Sequence, residues 1–267
     1  METFISAGLI ALCRFLLRAI FLTGTAGSGK SSLCSALAPW YTDKGSTVAT
    51  VNLDPGVQDM PYEPDIDIRD FIDINTVMQN YQLGPNGALI MAADLVATRV
   101  NDIQESLDSI NPDYAIFDTP GQIELFAYRS SGPYIVDNIS AEATTMLFLY
   151  DATLVSTPTN FISVALLCAS IRLRLQVPQI SVLSRRDMLG PNLRKVLTWG
   201  SDVYKLEEAL RQESKYSYEL NSLLLRGLSR SGMANELYPV SATTREGLLD
   251  LSAIITRQLN QGEENEE

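Results

Sequence analysis

The run Gly24-Thr25-Ala26-Gly27-Ser28-Gly29-Lys30-Ser31 is the densest concentration of chemistry in the sequence, and its chemistry is phosphate binding. Its glycines let the backbone curl so that N–H groups between Ala26 and Ser32 point at one anion. A helix that starts where the loop ends adds the positive end of its dipole. Lys30 supplies a cation for the β- and γ-phosphate oxygens, and Ser31 a hydroxyl for the Mg²⁺ that bridges them. Ile20-Phe21-Leu22-Thr23 before the loop reads as a buried strand and Ser32 to Leu37 after it as the first turns of a helix. A glycine-rich turn that binds nothing is the competing reading, and a strand before with a helix after counts against it.

Three further stretches carry polar groups at the ends of apolar runs. Asp118-Thr119-Pro120-Gly121 follows Tyr114 to Phe117 and has the D-x-x-G form of a γ-phosphate sensor. Its Asp118 is a metal ligand, direct or through water, and the Gly121 N–H is a donor to a γ-phosphate oxygen. Gln122 is placed to orient an attacking water, and Asp54 to orient the same water or support the metal. Ser184-Arg185-Arg186-Asp187 has the shape of a guanine-reading motif, in which one carboxylate, Asp187, accepts from both guanine N1–H and the 2-amino group. Serine and arginine stand there in place of Asn or Thr and Lys, with Arg185 available to stack on a purine. Ser241-Ala242 matches the dipeptide whose backbone N–H meets guanine O6.

These groups need a scaffold that brings strand ends together. Apolar segments at Thr47–Leu53, Tyr114–Phe117, Met146–Tyr150, Ile180–Leu183 and Leu237–Val240 read as strands, and Ile66–Gln82, Ala88–Ile110, Phe161–Leu175, Lys205–Gly232 and Arg245–Leu259 as helical. Ile90, Leu95, Val100, Ile103 and Leu107 are the expected core contacts of the second helical stretch. Repeated βα units predict an α/β fold, a doubly wound and mostly parallel sheet with helices on both faces and its ligand at the carboxyl ends of the strands. The expected organisation is an N-terminal extension of helical character at 1–18, one domain over 19–260 with a helical insertion near 200–233, and an acidic disordered tail at 261–267.

Composition narrows the chemistry. The 267 residues hold no histidine, so a Ser-His-Asp triad, imidazole metal ligands and a histidine base are excluded, leaving carboxylates, amides, lysine and a bound metal. A net charge of −12 repels a phosphate backbone and argues against direct nucleic-acid binding. Three widely spaced cysteines, Cys13, Cys34 and Cys168, fit neither zinc nor disulfides and suggest a reducing cytoplasm. Phe4 to Leu22 is largely apolar, but Arg14 and Arg18 would each cost about 2.5–3.5 kcal/mol at a bilayer centre, so no membrane span is expected.

The motifs together resemble the GPN-loop GTPases, most specifically through Asn52-Leu53-Asp54-Pro55, Tyr62 to Arg69, Gly84-Pro85-Asn86 and Asp118 to Glu124. The resemblance implies a GTP- and Mg²⁺-dependent homodimer, related to assembly and nuclear import of RNA polymerase. It adds Glu124 to the catalytic set with Asp54 and Gln122, and it implies that Asn86 crosses a dimer interface to face the partner's γ-phosphate. Read without the resemblance, Gly84-Pro85-Asn86-Gly87 is helix punctuation, with the glycine ending one helix and the asparagine capping the next. Three functions stay open on these residues: a GTP-hydrolysing switch, a nucleotide-gated assembly scaffold, and a P-loop kinase.

Overall fold

In the computed structural model, which describes residues 17–213, 218–230 and 236–260, the apolar run before the loop is β1 (Arg18–Gly24) and the loop opens α1 (Lys30–Thr42). Then come β2 (Val48–Asn52), the two-residue β3 (Ile66–Asp67), α2 (Ile74–Tyr81), α3 (Pro85–Val96) and α4 (Val100–Ile110). Next are β4 (Tyr114–Asp118), the short α5 (Ile123–Phe126), α6 (Ser131–Asn138), β5 (Ala143–Asp151) and the long α7 (Pro158–Leu175). Finally β6 (Gln179–Ser184) precedes α8 (Leu193–Ser201), α9 (Val203–Glu213) and α10 (Tyr218–Arg230), and β7 (Leu237–Pro239) precedes α11 (Leu248–Asn260).

The strands form one sheet in the order β3-β2-β4-β1-β5-β6-β7, with every neighbouring pair parallel. Side chains alternate across it. Ile20, Leu22, Ile116 and Leu149 join α1 and α11 in one cluster, whereas Phe21, Phe117 and Phe148 join α3, α4 and α7 in the other. The fold is therefore the doubly wound α/β class that the βα alternation predicts. Phe21 and Phe117 stack 4.4 Å apart on adjacent strands, fully buried beneath the loops, and each contributes roughly 1.5–3 kcal/mol of burial. Because β1 lies between β4 and β5, the loops that leave these three strands open on one edge of the sheet, where such folds hold ligands.

Several local expectations are corrected. The stretch expected as helix from Ile66 begins instead as β3 and a 3-10 turn at Ile68–Asp70, because buried Ile66 pairs with Val51 and Asp67 caps the turn. The helix itself starts after Asp73, whose carboxylate accepts from the Asn75 and Thr76 N–H groups. The stretch expected from Ala88 to Ile110 begins three residues earlier, at Pro85, and is divided by a 3-10 turn at Ala97–Arg99. Ile90, expected in the core, is 41% exposed; Ala88, Ala92 and Val96 form the buried stripe of α3 instead. The final helix begins at Leu248 rather than Arg245, because Arg245 and Gly247 both hold left-handed backbone. Arg18, expected in the extension, already pairs as the first residue of β1; residues 1–16 and 261–267 lie outside the described residues. No helix among the described residues is long and apolar enough to cross a membrane.

Helices α9 and α10 pack on each other and on α7, joined by Glu207, which accepts from Tyr218, Ser222 and Arg226. Gly132 in α6 is closely packed: an added Cβ there would lie 2.0 Å from the Phe126 carbonyl oxygen. Backbone cannot yield as a side chain can. Gly132→Ala should therefore lower stability by about 1–3 kcal/mol in urea unfolding, and an unchanged midpoint would show that α5 and α6 separate freely.

Candidate nucleotide-binding site

The glycine-rich loop takes the shape its composition predicts. Gly27 and Gly29 have φ of 73° and 90°, left-handed backbone that a side chain would strain, and Gly29 is the N-cap of α1. Lys30 is 5% exposed and folds back over the loop, its Nζ donating to the Gly24 and Thr25 carbonyls at 3.2 Å each and to Gly121 O at 3.5 Å. Burial pushes its ammonium below the usual lysine range, opposed by the carboxylates of Asp118 and Asp54. The loop is also tied from across the sheet. Ser184 Oγ, at the end of β6, lies 2.7 Å from Ser28 O and 3.2 Å from Tyr150 O. Ser184, expected to touch the nucleotide, lines the smaller of two cavities beside the loop and, buried there, also holds the loop through its hydroxyl.

Around the loop open two adjoining cavities. The larger, about 380 Å³, is lined by Lys30, Ser31, Asp54, Asp118 and Gly121 among others. The second, about 180 Å³, is lined by Val182, Asp187, Met188, Val240 and Ala242. Gly29, Ser32 and Arg185 line both. A polar chamber adjoining a smaller slot with Leu33, Val182, Met188 and Val240 in its walls matches a polyphosphate joined to a planar base. Arg185, expected to stack on that base, sits at the junction with φ of 55°. Its guanidinium lies 3.7 Å from Asp151 Oδ1 and runs beside Gly27 and Gly29, where added Cβ atoms would meet it at 3.9 and 3.7 Å. Of Ser241-Ala242, only Ala242 lines the slot; the Ser241 N–H is spent on Glu246 O, and its hydroxyl accepts from Thr244 N–H.

Asp118 sits at the end of β4 with 3% exposure. Its Oδ2 accepts from the Tyr62 hydroxyl at 3.2 Å, and its Oδ1 is buried without a hydrogen-bond partner. Burial pushes the carboxyl up, opposed by the Ser31 hydroxyl, the Lys30 ammonium and Tyr62. An orphaned carboxylate oxygen in the same chamber as Ser31 fits a hard divalent cation, which takes oxygen ligands and would offset that burial. Asp54 accepts from the Gly56 N–H through Oδ1 at 2.8 Å and from the Gly121 N–H through Oδ2 at 3.0 Å. The donor expected to face a γ-phosphate thus bonds a carboxylate, which a phosphate oxygen would have to displace.

The structure does not bring every expected residue to the chamber. Gln122 and Glu124 are exposed at the start of α5 and line neither cavity. Asn86 is exposed in the first turn of α3. It does not cap that helix, because Gly84 is the N-cap, and the preceding helix ends on left-handed Gln82 rather than on glycine. The motif from Tyr62 to Arg69 has a structural explanation. Asp65 accepts from Thr50 N–H and hydroxyl, while Asp67 accepts from Asn52 and is gripped by Arg69, whose Nη1 reaches Val57 O. These bonds hold the loop that carries Asp54 against β2. Tyr62 and Asp151 were given no role from sequence; the prolines on either side of Tyr62 and the strand end at Asp151 are the signals that pointed to them.

A phosphate-binding loop between the central strand and its helix, with an aspartate at the end of the neighbouring strand, defines a P-loop nucleotide-binding protein of the doubly wound class. A family model described as "conserved hypothetical ATP binding protein" matches residues 22–261. GPN-loop GTPase 3 of Kluyveromyces lactis is 31% identical over 245 residues, 88% of this chain and 89% of that protein. The GPN-loop GTPase 2 homolog of Dictyostelium discoideum is 35% identical over 171 residues, 63% of this chain, but the match spans only 54% of that relative's length. Among solved structures, a GTPase from Pyrococcus abyssi in apo form superposes with a TM-score of 0.79 at 27% identity, over 90% of this chain and 97% of that one. The chain belongs to the GPN-loop GTPase family.

Removing the Ser184 hydroxyl strips Ser28 O of a buried donor, which costs about 1–3 kcal/mol. Ser184→Ala should therefore weaken binding of a fluorescent guanine nucleotide about tenfold, and Ser184→Thr should restore most of it. Equal affinity in Ser184→Ala would show that the loop keeps its shape unaided.

Proposed function

We propose that this protein binds GTP with Mg²⁺ and hydrolyses the β–γ phosphoanhydride as a homodimeric switch. The observation that carries the reading is the continuity of the two cavities through Gly29, Ser32 and Arg185. One molecule then spans a polar phosphate chamber and a slot edged by Asp187. The loop amides and Lys30 hold the β- and γ-phosphates, and Asp54 and Gln122 orient the attacking water, with Glu124 in the same catalytic set. Gln122 and Glu124 serve from the rim, where closure over a nucleotide brings such side chains inward. Ser31 and Asp118 are the residues that would hold Mg²⁺, which when bound neutralises charge developing on the phosphates. Guanine is favoured over the adenine named by the family model's description because Asp187, exposed at the slot, offers two acceptors to guanine's two adjacent donors.

Homodimerisation belongs to the same proposal. Among the described residues, the cations beside the phosphate chamber are Lys30 and Arg185, and Arg185 is paired with Asp151. Asn86 stands exposed on the first turn of α3, available to a second copy that would receive its own Asn86 in return. Assembly of a protein complex, with RNA polymerase as the client implied by the resemblance, is the biological role in this proposal, set in the cytoplasm.

The direct test is phosphate release from GTP and ATP with and without Mg²⁺. Release from GTP that requires Mg²⁺ and exceeds release from ATP is expected; equal turnover of both nucleotides would overturn guanine selectivity. Asp187→Asn should cut discrimination against ATP by about 1–3 kcal/mol, since an amide cannot accept from both donors. Asn86→Ala should bind GTP normally and turn over about tenfold more slowly, as after loss of one transition-state donor. Mixed with Lys30→Ala, it should regain activity, because the mixed dimer pairs an intact loop with a normal Asn86. Demonstrated subunit exchange without recovered turnover would remove Asn86 from the partner's site.

A further inference from the structure

A part-buried hydrogen bond beside the phosphate chamber has no part in holding phosphate: that between the Tyr62 hydroxyl and Asp118 Oδ2, 3.2 Å long. Tyr62 comes from the segment Pro61-Tyr62-Glu63-Pro64, whose prolines limit the backbone, and its ring packs into the apolar cluster on the α1 side of the sheet. The phenol is therefore delivered to Asp118 from an anchored position. A phenol keeps its proton at neutral pH and donates to a carboxylate.

We propose that Tyr62 is a positioning residue for the divalent cation, holding Asp118 by Oδ2 so that Oδ1 alone faces the metal. This rests on the Mg²⁺-nucleotide reading given above. Of the other polar groups nearby, the Ser31 hydroxyl helps hold the Asp118 carboxyl down but is itself an expected metal ligand, which leaves Tyr62 as the donor outside the metal's own shell. Thr119 Oγ1 donates to Leu22 O at 2.6 Å, and Lys30 Nζ is committed to the carbonyls of Gly24, Thr25 and Gly121. Oδ1 is buried with no hydrogen-bond partner among the described residues. A carboxylate with one oxygen fixed by a neutral donor and the other bare presents a single ligand atom of set orientation. Without the Tyr62 hydroxyl, Oδ2 loses its donor and the carboxylate is less firmly oriented before a cation arrives. Outer partners of this kind commonly set the affinity of a metal site.

The test is binding of mant-GDP by the full chain, titrated with MgCl2 and repeated in EDTA. Tyr62→Phe keeps the ring and loses only the donor. The Mg²⁺ concentration that half-maximally tightens mant-GDP should rise about three- to tenfold in the variant, the worth of one hydrogen bond, while affinity in EDTA matches the unaltered protein. An unchanged Mg²⁺ midpoint overturns the proposal. So does an equal loss of affinity with and without Mg²⁺, which would make Tyr62 a support for its loop alone. Tyr62→Met, which fills the same space without a donor, must reproduce the shift, and it serves where circular dichroism shows Tyr62→Phe unfolded. If the unaltered protein binds mant-GDP identically with and without Mg²⁺, the metal reading falls and this inference with it; a normal Mg²⁺ response with no effect of either variant removes the inference alone.

Discussion

A lysine ammonium with 5% exposure, held over a glycine loop by three carbonyls and in the field of two carboxylates, is the interaction on which this molecule depends. Burying a cation is costly unless its surroundings repay it with ligands and opposite charge. Here those ligands come from the ends of different strands: the Lys30 loop after β1, Asp118 at the end of β4, and Asp54 just past β2. A parallel sheet with β1 between β4 and β5 is what brings such ends to one edge. The remaining bonds, Ser184 to the loop, Asp54 to Gly121 and Tyr62 to Asp118, keep each charged group from relaxing toward water.

What the sequence made legible was whatever repeats locally. Walker A spacing, the strand-end aspartates and the alternation of apolar runs with helices predicted the sheet class and the placing of these motifs at strand ends, because each depends on residues within a few positions of one another. Contacts that join distant segments stayed hidden. The Ser184 substitution looked like a weakened base contact, yet its hydroxyl reaches Ser28 across 156 positions, and Tyr62 meets Asp118 across 56. Arg185, expected at the base, does line the slot, and its ion pair with Asp151 at the end of the neighbouring strand is a further contact that no local spacing announces. Helical periodicity also misjudged Ile66 and Ile90. The first is drawn into the sheet by pairing with β2, and the second lies outside a buried stripe made of small residues.

The Asn86 turn shows how far local rules reach. Gly-Pro-Asn-Gly is consistent with helix punctuation, and it does begin a helix. Proline at its first position is favourable there, while Gly84 and not Asn86 occupies the cap. The side chain that local rules would assign to the backbone is thus left over, exposed, and without a part in its own helix.

The two ends of the sheet carry a different consequence. One edge is the two-residue β3 and the other the three-residue β7, which ends in Pro239 and so lacks a donor there. Edges this short, one closed by proline, are poor templates for a further strand and protect a long buried sheet from growing into aggregates. They also restrict how two copies can meet. Among the described residues, neither edge favours continuous sheet extension across a two-fold axis, so helix faces and loops are the better surfaces for a partnership between copies, surfaces that can part and rejoin without unzipping a ladder of backbone hydrogen bonds.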